Sequence, residues 1–123
     1  MNARELAETI GWTGLLWFGI ALANLLVMRA FHLNVGFPET IFVLGWSLVG
    51  SLVPTPGGAA GAFHAATAAG LLFLGIKKET AAALSIVLHL VDFGPALLFG
   101  IFYFVRGDLS LSKLRTMISP EPS

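Results

Sequence analysis

Three ionisable side chains and one stretch of backbone stand where chemistry is least expected. Asp92 lies inside the longest apolar run of the chain, Thr80 to Val105, and His89 precedes it by three residues, on the same helical face. A carboxylate inside a membrane span costs about 3 kcal/mol on insertion scales, and it favours a bundle interior or a water-filled path. His64 falls in the first turns of the segment that leaves Pro54-Thr55-Pro56-Gly57-Gly58. If that segment packs on the last one, His64, His89 and Asp92 meet in one polar pocket. Structural pairing, substrate or proton handling, and metal binding are the three readings of such a pocket. Two His and one Asp are adequate ligands for a divalent ion. The i, i+4 histidine pair of a metalloprotease helix is missing, however, and no metal or other cofactor is expected.

The run Pro54 to Gly58 is the most specific element. Two prolines and two adjacent glycines cannot continue a helix. Read functionally, they break a helix so that half-helix ends and bare backbone groups meet a polar or anionic headgroup. Read structurally, they are an interhelical turn. The run lacks the Lys-Ser/Thr of a phosphate loop.

The elements that must position these groups are apolar. The 123 residues are 56% hydrophobic and 11% charged, with a mean hydropathy of +0.84, whereas a soluble domain carries roughly 25% charged residues. Seven basic and seven acidic residues balance, so no net field draws nucleic acid, and the absence of cysteine excludes disulfides and thiolate chemistry. Between Gly11 and Val105 the formal charges are Arg29, Glu39, Lys77, Lys78, Glu79 and Asp92. They divide the chain into membrane-sized stretches.

Residues 11–28 carry no charge and reach the length of a transmembrane helix. Ala21 and Ala23 mimic a signal cleavage site, but Glu5 and Glu8 replace the basic leader and the apolar run continues to Met28, so a retained span is expected. Trp12 and Trp17 suit an interface. Residues 29–38 read as a connector, with Pro38 and Glu39 fitting the first turn of a new helix. Residues 38–53 and 59–76 then flank the break. Each is short for a hydrocarbon core about 30 Å thick, and exposed backbone is costly in lipid. A re-entrant hairpin with the break inside the membrane is favoured over two full spans joined by a tight turn. Residues 80–105 form the last span, with a kink expected at Gly94-Pro95.

The expected fold is therefore an all-α polytopic membrane bundle over residues 1–107, followed by a polar cytoplasmic tail at 108–123. Small residues spaced by four, including Gly57 and Gly61, Ala62, Ala66 and Gly70, and Ala65 and Ala69, suit close helix packing in lipid. Lys and Arg count four on the side of the termini against three on the other, which places both termini in the cytoplasm by one residue.

With PTPGG followed by a small-residue helix, the sequence resembles the membrane region of lysylphosphatidylglycerol synthases and related flippase-like integral membrane proteins. The resemblance runs from about Gly11 to Arg106 and covers the last third of family members with six or more spans. It implies that the chain packs with further helices: an upstream segment, a partner subunit or a second copy. In the family's pattern a glutamate follows the glycines and an arginine lies in the next span. Here His64 and His89 stand at about those places, which exchanges a fixed ion pair for a titratable one. The resemblance also implies lipid translocation at the inner (plasma) membrane, with membrane lipids as partners. It implies no aminoacyl transfer, since only 16 residues follow Gly107. The candidate headgroup-binding residues are Pro54, Thr55, Pro56, Gly57, Gly58, Gly61, His64, His89 and Asp92. The alternative is a non-transporting membrane subunit whose Ala62/Ala66/Gly70 face recruits partner helices.

Overall fold

A computed structural model of the chain describes residues 2–57 and 59–107. Gly58 and the expected tail at 108–123 lie outside the described residues. The described residues form four helices and no strand: α1 (Ala3–Ala30), α2 (Phe37–Ser51), α3 (Ala60–Phe73) and α4 (Lys78–Arg106). The all-α membrane architecture read from the sequence is the one observed. Both α1 and α4 are long and apolar enough to cross a membrane, with mean hydropathies of 1.7 and 1.9 over their most apolar windows.

Helix α1 begins well before the apolar run. Asn2 Oδ1 accepts from the Glu5 backbone N–H and Glu5 Oε2 accepts from the Asn2 N–H, each at 2.9 Å. This capping box satisfies two donors that a helix start leaves open. The polar residues before Gly11 are thus the first turns of α1. Its buried residues, Ala21, Asn24 and Met28, form one stripe in its second half, and residues 3–19 are exposed throughout.

The ends of α1 and α3 are built alike. After α1 the Leu33 N–H bonds to the Met28 carbonyl and the His32 N–H to that of Arg29; after α3 Ile76 bonds to Leu71 and Gly75 to Leu72. Both are Schellman stops, which need a left-handed residue just past the helix. Gly75 fills that place at φ +80°, and His32 does so at φ +59°. Helix α2 starts with Pro38 in its first turn, and Glu39 Oε2 accepts from the Gly36 N–H at 2.9 Å.

Helices α2 and α3 form a tight antiparallel hairpin. A Cβ on Gly50 would come within 2.6 Å of the Ala62 carbonyl oxygen and 2.7 Å of the Ala66 Cβ, and one on Gly70 within 2.9 Å of the Trp46 ring. Ser47 Oγ and Thr67 Oγ1 share a buried hydrogen bond of 2.7 Å across the pair. The small-residue face of α3 is thus used inside the chain. Met28, Val43, Phe63, Leu71, Ala81, Leu84 and Leu88 join all four helices in one core. Burial at i, i+3 and i+4 on each helix is the signature of one-sided packing.

Residues 2–92 make one compact unit and residues 93–107 a second. The second is helical and largely exposed, with large apolar side chains along its length and Arg106 resting 5.2 Å above the Phe102 ring. Pro95 lies inside α4, where it removes one helical donor.

Candidate functional site

The break between α2 and α3 occupies residues 52–59. Gly57 takes φ +73° and Ala59, the residue before α3, φ +58°. An L-residue in the left-handed region costs about 1–2 kcal/mol. No side chain caps α3, so the positive end of its dipole is left to the backbone of the break. Pro54, Pro56, Gly57 and Gly61 are exposed, while Thr55 is half-buried. The Thr55 hydroxyl is sealed from solvent and has no hydrogen-bond partner.

One turn into α3, His64 meets α4. Its ring lies 4.9 Å from that of His89, at 81°. Phe63 packs on His89 at the same centroid distance, which builds an apolar wall beside the pair. His64 Nε2 is also buried without a partner. The condition set for a shared pocket, contact of the helix after the break with the last one, is met at His64 and His89.

Asp92 makes its hydrogen bond on another element. Its Oδ1 accepts from Asn24 Nδ2 of α1 at 2.8 Å. Asn24 was not singled out in the sequence. The signal was present: it is the one amide within the uncharged run 11–28, and polar residues in lipid mark helix contacts. Its side chain is fully buried, at 1% exposure. Among the described residues no three His, Asp or Glu side chains gather in a way that could hold a metal ion. His64, His89 and Asp92 do not form a ligand set of that kind. The candidate polar groups are Thr55 at the break, the His64–His89 pair between α3 and α4, and the Asn24–Asp92 pair between α1 and α4.

Neither the curated proteins nor the solved structures yield a match to this chain. The family model for the lysylphosphatidylglycerol synthase TM region matches residues 1–100, which spans the break, the histidine pair and Asp92. The chain belongs to the lysylphosphatidylglycerol synthase TM-region family, an integral membrane region of lipid-related proteins.

Proposed function

We propose that the chain is a module of a flippase-like transporter for a lipid or lipid-linked substrate, with the α2–α3 break as the place where a polar headgroup enters the membrane. The observation that carries this reading is the pairing of short arms with unsatisfied polar atoms. At 1.5 Å per residue, α2 and α3 are each about 21–23 Å long, against a hydrocarbon core of about 30 Å. Arms of that length favour a re-entrant hairpin, whose tip lies within the bilayer. Irregular backbone is tolerated at that depth where it lines a cavity or is shielded by protein.

Among the described residues, Thr55 Oγ1 in the break and His64 Nε2 on α3 are buried polar atoms without a hydrogen-bond partner. A phosphate or other headgroup oxygen answers both, and the uncapped start of α3 favours negative charge. The acyl chains stay in the bilayer beside the apolar helix faces. Backbone groups from Pro54 to Gly58 and at Gly61 contact the headgroup, while His64, His89 and Asp92 balance charge or couple protons. The module works with further transmembrane helices, in the inner membrane, with both termini cytoplasmic. It performs no aminoacyl transfer itself.

The reading is tested by scrambling of labelled lipid in vesicles holding the reconstituted chain. Thr55→Val with His64→Leu is expected to reduce lipid movement at least tenfold with helix content unchanged. Wild-type rates in that double variant would sink it.

A further inference from the structure

The amide of Asn24 is only half satisfied. Its Nδ2 donates to the Ile20 carbonyl at 3.0 Å and to Asp92 Oδ1 at 2.8 Å, which uses both of its hydrogens. Its Oδ1 is buried and accepts from nothing. A sealed acceptor without a donor is a recurrent cost in a folded protein. An ionised Asp92 cannot relieve it, because a carboxylate only accepts. A neutral Asp92 has one O–H to give. Acid and amide then match as reciprocal partners: Asn24 Nδ2–H to Asp92 Oδ1, and Asp92 Oδ2–H back to Asn24 Oδ1.

We propose that Asn24 and Asp92 form a proton-binding site between α1 and α4, with the Asn24 carbonyl accepting the proton that Asp92 carries. This deepens the reading of the same site by naming the ligand of Asp92. A hard cation is the competing ligand for two such oxygens, but it surrounds itself with about six or more of them. Among the described residues no further acidic or histidine side chains complete such a shell. A proton needs one oxygen to carry it and one to accept it.

The titratable groups around the pair are few. His89 is three residues earlier on α4, and His64 of α3 touches His89 through its ring. Between Thr9 and Met28 on α1, and between Thr40 and Ser51 on α2, there is no charged side chain. Release of the proton breaks the Asp92 Oδ2–H bond, leaves the electron pair on the carboxylate and transfers the proton to water. It also removes the second bond to Asn24 and leaves the Asn24 Oδ1 without a donor.

The test is infrared spectroscopy of the bilayer-reconstituted chain with isotope-labelled aspartate. Asp108 is the one other aspartate in the sequence, so the label nearly assigns the signal by itself. A protonated-carboxyl stretch is expected at neutral pH, shifted by the label, retained in Asp108→Asn and lost in Asp92→Asn. In Asn24→Leu it should move to higher frequency, because the carboxyl has lost its acceptor. Absence of a labelled carboxyl band in the unaltered chain overturns the proposal, whatever the variants do. So does a band that sodium erases, or one that ignores a folded Asn24→Leu. The spectrum requires no transport, so failure of the flippase reading and failure of the proton site are separate results.

Discussion

The α2–α3 hairpin is finished in opposite ways at its two ends. At the open end, where α1 leads in and α4 leads out, the last carbonyls of α1 and α3 are satisfied by Schellman bonds. At the tip, α3 starts from a left-handed alanine with no side-chain cap, and the Thr55 hydroxyl is buried without a partner. One end closes every helix stop from within the chain, and the other leaves groups unmet. Complete satisfaction is what stability alone selects. Departures from it collect where a protein meets its ligand. Under the proposed function, the contrast separates scaffold from site within one hairpin.

The scaffold side of the comparison breaks most strongly at Gly50. Its missing Cβ is what lets α2 approach the backbone of α3, since the nearest atom is the Ala62 carbonyl oxygen at 2.6 Å. Gly50→Val is expected to destabilise the folded state by about 3 kcal/mol, the upper range for overpacking a tight core. Thermal unfolding in detergent reads this as a lowered midpoint. An unchanged midpoint would mean that the arms are not held at this distance. Gly75→Ala comes next. At φ +80° the new side chain is strained although nothing lies within 4 Å of it, and about 1–2 kcal/mol of stability should be lost.

Much of this division was legible in the sequence. The apolar stretches, the break at Pro54–Gly58 and the small-residue face gave the helices and their order, because lipid leaves the chain few backbone options. The packing of α3 on α4 through His64 and His89 entered that reading only as a condition, because spacing along one helix does not say which helices meet. The partner of Asp92 did not enter it. Asn24 lies 68 residues away along the chain, and no local period links α1 to α4. The start of α1 was equally hidden, because Asn2 and Glu5 look like a polar leader until their two side chains are seen to close a cap. His32 lies in the stretch read as a connector, and it holds the left-handed place of a helix stop. Roles of that kind depend on backbone angles that residue type alone does not reveal.

His32 sharpens the comparison in the other direction. The same motif is closed by glycine after α3 and by histidine after α1, so the second stop carries strain that the first avoids. Replacing His32 with Gly relieves about 1–2 kcal/mol of left-handed strain and returns about 0.5–1 kcal/mol as backbone entropy. A net gain of about 0.5–1 kcal/mol is expected from that difference, seen as a raised unfolding midpoint. A loss would indicate that the imidazole makes a contribution of its own at this end of the bundle.

The smallest change in stability is expected at the tip, and it is the most informative. Thr55→Val keeps the shape of the side chain and removes a hydroxyl that bonds to nothing in the fold. Because no hydrogen bond is lost, the unfolding midpoint should stay within the equivalent of about 0.5 kcal/mol, or rise slightly as an unmet polar atom leaves the interior. Lipid scrambling should fall all the same, since the hydroxyl's proposed partner is a headgroup oxygen. The two readouts must part for the contrast between the ends to hold. A scaffold threonine would move the midpoint and leave scrambling in proportion to the folded fraction. If stability falls at Thr55 by as much as it does at Gly75, the tip is one more closed end, and the distinction between scaffold and site does not run through this hairpin.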